Sequence, residues 1–137
     1  MAFHPYLMFG GNCREAFTRY QEIFGGELVV LPMSEMPSDQ PVPEDQKDLV
    51  MHAALTFDGN LLMASDDPTG DFRGVQGMHV NCSVGSVEEA ERVFAALSEG
   101  GEVTMPIGET FWSPRFGMCV DRFGTPWMVN VEAPPPS

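Results

Sequence analysis

Apolar positions change period several times along the chain, and each change marks an element. Phe3 to Phe9 is dense in strand-forming residues and stops at Gly10-Gly11, with Pro5 near the strand start. Ala16, Phe17, Tyr20, Ile23 and Phe24 recur at helical spacing, which predicts a helix from Cys13 to about Phe24 with Asn12 as its N-cap. Gly25 suits the helix stop, and Glu27 to Leu31 reads as a short β-branched strand. Leu49 to Phe57 alternates. Met51, Ala53, Leu55 and Phe57 form an apolar face, and Val50, His52, Ala54 and Thr56 a more polar one. Asp58-Gly59 is a hairpin turn, so Leu61 to Ser65 pairs back antiparallel.

The second half repeats this order. Met78 to Val84 is a strand with His79, Asn81 and Ser83 on one face. Residues 87–99 form a helix that buries Ala90, Val93, Phe94 and Leu97. Strands follow at Glu102 to Pro106, at Arg115 to Asp121 with Phe116, Met118 and Val120 on its apolar face, and at Pro126 to Val131. The correspondence is one of physical role. Asn12 and Ser86 are N-cap residues 74 positions apart, each followed three residues on by a glutamate, Glu15 or Glu89. Ala16 aligns with Ala90, Tyr20 with Phe94 and Ile23 with Leu97, and Gly-Gly-Glu closes both helices with a slip of one position. A period this long means a doubled module. The expected domain is α+β, with two βαβββ modules, eight strands and two main helices. Module one covers 3–66, module two 77–132, a linker 67–76 and a tail 133–137. Each helix covers one face of a four-stranded sheet, and the other, more polar faces are expected to enclose a cleft between modules.

Between the first modular strands lies a loop, 32–48, carrying Pro32, Pro37, Pro41 and Pro43 with several acids. It is either a solvated surface loop or a lid. The net charge of −13, with Lys47 the only lysine, leaves no basic patch for nucleic acid. No apolar run approaches the ~20 residues of a membrane span. Cys13, Cys82 and Cys119 are odd in number and lack metal-ligand spacing, so a disulfide framework is not expected. The N-terminus has no secretory pattern, and these features together point to a reduced, cytoplasmic protein.

Several runs carry a family resemblance: Gly11-Asn-Cys-Arg-Glu-Ala-Phe with Tyr20 and Phe24-Gly-Gly-Glu27; Met51-His-Ala; Leu62-Met-Ala-Ser-Asp66; Glu109-Thr-Phe-Trp112; Phe116-Gly-Met; and Asp121-Arg-Phe-Gly-Thr-Pro-Trp-Met-Val-Asn130. In this order they resemble the PhnB-like branch of the vicinal oxygen chelate superfamily, which includes glyoxalase I, bleomycin-resistance proteins and extradiol dioxygenases. The branch also carries a 3-demethylubiquinone-9 3-methyltransferase label, and its name suggests phosphonate metabolism. No strand in the sequence reads as leading through a Gly-rich turn into a helix of the kind a nucleotide-like cofactor needs.

The resemblance implies metal ligands in the first strand of each module and four residues after each hairpin glycine. Counting by the repeat and from Gly59 and Gly124 gives Pro5, Met63, His79 and Met128. Only His79 is a suitable ligand, so no cofactor is expected, although a divalent metal in a non-standard site stays open. Other polar groups have two readings each. His52 is either satisfied by backbone or a ligand hydrogen bond and general base. Asp66 either orients His52 or caps a turn. Glu109 and Trp112 border the cleft, where Trp112 is also readable as a core or dimer contact. Arg115 meets an anionic ligand or pairs with Glu109, and Cys119 reads as a buried thiol. The favoured function is metal-independent binding of a small polar or amphipathic molecule, with His52, Met63, His79, Trp112, Arg115 and Met128 lining the cleft. The alternatives are a metal-dependent lyase, isomerase or dioxygenase using His79 with His52 or Glu109, and a partner-binding dimer with a closed cleft. A homodimer is expected in each case.

Overall fold

A computed structural model describes residues 1–35 and 41–132. The tail and the middle of the proline loop lie outside the described residues. The element order is β1 (Tyr6–Phe9), α1 (Cys13–Phe24), β2 (Glu27–Pro32), β3 (Val50–Phe57), β4 (Asn60–Asp66), β5 (Val80–Val84), α2 (Val87–Ser98), β6 (Glu102–Gly108), β7 (Phe116–Val120) and β8 (Pro126–Val131). Two compact units result, Met1–Gly74 and Val75–Ser137. The segment after β4 stays with the first: Asp67 N–H donates to Phe9 O at 2.7 Å, and the Phe72 ring lies against Gly10.

Each unit has one four-stranded mixed sheet, ordered β1-β4-β3-β2 in the first and β5-β8-β7-β6 in the second. In both, the first strand runs parallel to the last and the other neighbours are antiparallel. One face of each sheet receives the apolar stripe of its helix. In the first unit Ala16, Phe17, Tyr20 and Ile23 of α1 are buried with Leu7, Phe9, Ala53, Leu55, Leu62 and Ala64 of the sheet. In the second, Ala90, Val93, Phe94 and Leu97 are buried with Cys119, Trp127, Val129 and Val131. Full burial of each large apolar side chain contributes about 1.5–3 kcal/mol.

The repeated glycine pair has a steric cause. A Cβ on Gly26 would lie 2.2 Å from Thr56 O, and one on Gly101 would lie 2.2 Å from Val120 O. Both glycines sit where the chain leaves its helix and passes against the third strand of its own unit, so no side chain fits. The one-position slip is real in space as well as in sequence.

Two expectations need correction. In β7 the residues facing α2 are Gly117 and Cys119, while Phe116, Met118 and Val120 lie on the other face. The reason is Gly117: a Cβ there would meet the Phe94 ring at 2.9 Å, so its lack of a side chain lets the helix aromatic seat on the sheet. Asn12, for its part, makes no side-chain cap, whereas Ser86 Oγ accepts from Glu89 N–H at 3.2 Å.

The cap missing from α1 comes from Asp66, 2% exposed at the end of β4. Its Oδ1 accepts from Gly11 and Cys13 N–H, both at 3.0 Å, and its Oδ2 from Val50 N–H at 2.8 Å. One carboxylate thus joins the start of α1 to the start of β3. Gly10-Gly11 forms the turn between strand and helix, as the sequence reading has it. Its donors, however, are occupied by the chain's own carboxylate. Asp121 does similar work in the second unit, accepting from Phe123 and Thr125 N–H and from Trp127 Nε1.

Removing Asp66 leaves buried amide donors without acceptors, at about 1–3 kcal/mol each. Asp66→Ala is expected to lower unfolding free energy by about 3–5 kcal/mol, and Asp66→Asn, which keeps one acceptor oxygen, by roughly half as much. Urea unfolding of the three proteins measures it; an unchanged midpoint in Asp66→Ala would remove the carboxylate from this role.

Candidate functional site

The functional candidates lie on the sheet faces that the helices do not cover. In the first unit this face is more apolar than its sequence pattern suggests. Tyr6 and Met8 of β1, Met63 of β4, and Val29 and Leu31 of β2 all point that way; Tyr6 is 46% and Val29 55% exposed. His52 of β3, paired with Leu31, lies among them half-buried. Its Nδ1 is 3.2 Å from the Tyr6 hydroxyl, with the ring centroids 5.8 Å apart. The imidazole–phenol pair thus sits among thioethers and aliphatic groups, with Ser65, Thr56 and Glu27 the other polar residues of this face.

The open face of the second unit sets an amide–hydroxyl chain beside apolar Phe116, Met118, Val120 and Met128. Asn81 Nδ2 donates to Ser83 Oγ at 3.2 Å, and Ser83 Oγ donates to Asn130 Oδ1 at 3.0 Å. Parallel pairing of β5 with β8 sets Ser83 beside Asn130, and Asn130 in turn faces Phe116 across β7. Trp112 packs edge-on against Phe116 at 5.3 Å and Phe111 against Trp112 at 4.7 Å. The 110–113 loop that presents them is closed on itself: Thr110 N–H donates to Ser113 O at 3.0 Å, and Ser113 N–H donates to Thr110 Oγ1 at 3.1 Å.

The sequence-predicted residues divide accordingly. His52 and Met63 share the first open face, while Met128 lies on the second, onto which Trp112 packs. Asp66 is on the helix side and holds backbone amides, so the partner of His52 is Tyr6 and not Asp66. Arg115 lies before β7 and pairs through Nε with Glu91 of α2 at 3.1 Å, not with Glu109. Glu109 is exposed just beyond β6, and His79 is exposed just before β5. The proline loop is pinned at both ends: Met33 N–H donates to Leu49 O and Ser34 N–H to Lys47 O. Tyr6 and Asn130 escaped the sequence reading. The signal for Asn130 was its i, i+2 relation to Met128 on one strand face.

Comparison with known proteins follows this geometry. A family model described as 3-demethylubiquinone-9 3-methyltransferase matches residues 1–130. The chain belongs to that family. It is 33% identical to the protein YjdN of Escherichia coli, covering 100% of this chain and 99% of that one. It is similar to protein PA1353 from Pseudomonas aeruginosa, with TM-score 0.89 and 48% identity over 96% of this chain and 98% of that one. The PhnB protein from Bacillus cereus follows at TM-score 0.75 and 26% identity, covering 96% and 99%. At 15% identity, the fosfomycin resistance protein FosX from Listeria monocytogenes shares the fold alone, with TM-score 0.62 and coverage of 97% and 93%. The chain is thus PhnB-like in sequence and shares its fold with FosX.

The superfamily's metal positions can now be located by strand pairing. Tyr6 pairs with Met63 and Asn81 with Met128, so Tyr6 corresponds to Asn81 and His4 to His79. The offset in these strands is 75 (81 minus 6), one more than the 74 of the helices. The cause is turn length: three residues separate β1 from α1 but only two separate β5 from α2. His4 therefore replaces Pro5 as the counterpart of His79. Each unit then offers one exposed imidazole and one thioether, a set short of the third hard donor that Zn²⁺, Fe²⁺ or Mn²⁺ needs. Among the described residues no three His, Cys, Asp or Glu side chains group as a metal site. The donors do not fit the superfamily's metal, and no chemistry is derived through one.

None of the three thiols is activated. Burial pushes Cys13 from the usual 9.0 up to about 12, helped by the negative charge of Asp66. Burial likewise raises Cys82 and Cys119 to about 11, with Glu89 and Asp121 adding to it. The unfolded chain loses these protons near 9.0 while the folded chain keeps them to about 11–12. Stability contributed by the neutral thiols is therefore full below 9.0 and lost as pH rises through that window. Below pH 9.0 the native protein is expected to react slowly with a disulfide reagent, and to release three equivalents on unfolding; fast reaction of a native thiol would contradict the burial.

Proposed function

We propose that this PhnB-like protein binds a small amphipathic molecule on the open faces of its sheets, without the divalent metal of its superfamily. The observation that supports this reading best is the first-unit face, where exposed Met8, Val29 and Leu31 and half-buried Met63 adjoin the hydrogen-bonded His52–Tyr6 pair. An acidic protein with a charge of −13 has ample polar residues for a solvated sheet face, yet none of these positions uses them. Apolar walls with few convergent polar groups are the usual composition of a ligand site. In this reading His52 and Tyr6 orient the ligand by hydrogen bonds, and Met8 and Met63 adapt to its apolar part. A homodimer belongs to the same proposal, since β1 and β2, and β5 and β6, end their sheets with edges a second chain can pair or cover. Three free cysteines support a reducing, cytoplasmic location as part of the same reading.

A thermal-shift screen of small amphipathic molecules, run with and without EDTA, tests the reading. Hits are expected to survive EDTA and to weaken about fivefold or more in Tyr6→Phe and His52→Ala, as the loss of one or two hydrogen bonds implies. Stoichiometric Fe, Mn, Ni or Zn in the purified protein, lost on His79→Ala, would overturn the metal-independent part. Light scattering is expected to give twice the 15.1 kDa chain mass; a monomer at all concentrations would remove the dimer.

A further inference from the structure

We infer that the second-unit face recognises an uncharged, flat ligand carrying an amide-like pair of donor and acceptor groups, and not a phosphonate or carboxylate. This deepens the proposed binding function and rests on it.

Three observations converge. First, the Asn81–Ser83–Asn130 chain has a direction. Asn81 gives an N–H to Ser83, and Ser83 gives its proton to Asn130 Oδ1. That leaves the Asn130 amide N–H groups as donors at one end of the network and Asn81 Oδ1 as an acceptor at the other, with no further partner for either among the described residues. A donor and an acceptor on a neutral scaffold match a carboxamide, lactam or urea edge. An anion could use only the donor and would meet the Asn81 oxygen unfavourably.

Second, aromatic edges adjoin the network. Phe116 is the direct cross-strand partner of Asn130, and Trp112 and Phe111 continue from it in edge-to-face contact. Phe111 is 97% exposed on a loop closed by hydrogen bonds between Thr110 and Ser113, and it extends the aromatic series outward from Phe116 through Trp112. A planar group stacks there at little entropic cost.

Third, fixed positive charge is absent where an anion would need it. None of the eight strands contains a lysine or arginine. Arg115, the nearest in sequence to Phe116, is engaged by Glu91 on the helix side. Recognition of phosphonate or carboxylate relies on such cations, best as an arginine fork.

The test uses three probes with one ring and different head groups: benzamide, benzoate and phenylphosphonate, each titrated at millimolar concentration into the full-length protein labelled with ¹⁵N. Benzamide is expected to shift the Asn130 side-chain amide and the Trp112 indole N–H, and to bind about tenfold more tightly than either anion. Trp127, 2% exposed on the helix side, serves as the internal reference that should not move. Asn130→Leu, which removes the amide without adding charge, is expected to weaken benzamide about tenfold and so abolish its preference over the anions, with the Trp127 signal reporting an intact fold. Equal or tighter binding of benzoate or phenylphosphonate at these residues overturns the inference and leaves ligand binding standing. Shifts confined to Tyr6 and His52 overturn it in the same way. No shift from any probe, where the EDTA-treated screen still yields hits, overturns the ligand class alone; no shift together with an empty screen overturns both readings.

Discussion

Each unit has four strands and only one helix to cover them. A helix can bury one face of a sheet, and the residues that seat it are the buried ones: Phe17 and Tyr20 on α1, Val93 and Phe94 on α2. The remaining face of each sheet must find another neighbour or stay in contact with water. The binding residues proposed for the molecule follow from that shortfall, because the open faces are where side chains are free of packing duty.

The doubled module shows which positions the covered side fixes and which the open side releases. Across the repeat, Ala16 and Ala90, Tyr20 and Phe94, and Ile23 and Leu97 keep their roles. Gly26 and Gly101 do too, since a Cβ at either would collide with a strand carbonyl. On the open side strand pairing sets Tyr6 against Asn81, Met8 against Ser83, and Ser65 against Asn130. The first strand of unit one brings an aromatic and a thioether; that of unit two brings an amide and a hydroxyl. With the backbone approach of Gly26 to Thr56 matching that of Gly101 to Val120, His52 corresponds to Phe116. Polar centre with apolar border has become aromatic centre with polar border. The backbone was duplicated and the recognition chemistry was not.

Much of the fold was legible because its signals are local. Helical spacing, Asp58-Gly59 and the Gly-Gly-Glu stops placed both helices and all eight strands to within a few residues. Errors arose where the decisive contact joins distant segments. Phe116-Gly117-Met118-Cys119-Val120 looks as if its large residues face the core, but the small ones do, since Phe94 needs the space above Gly117. Asp66 had two readings in sequence, and only the 55-residue reach to Gly11 decides for the cap. Arg115 had a carboxylate nearby in Glu109, yet its partner is Glu91, 24 residues away on α2. Of the candidate site, His52, Met63, Met128 and Trp112 were recoverable from alternation and motif. Tyr6 and the amide network required knowing that each first strand lies parallel to its last.

The one-residue difference between the strand and helix offsets bears on the superfamily's chemistry. Shortening the turn before α2 from three residues to two leaves the helix in step at 74 and moves the preceding strand to 75. Since side chains alternate with a period of two, a residue count that ignores this turn assigns a position to the wrong sheet face. Pro5 is the product of such a count, and the strand register makes His4 the counterpart of His79. Imidazoles thus stand just before both first strands, at His4 and His79, while the last strands carry thioethers at Met63 and Met128. What separates this chain from a hard-metal donor set is therefore concentrated in β4 and β8, at the two methionines that instead give the open faces their deformable apolar surface.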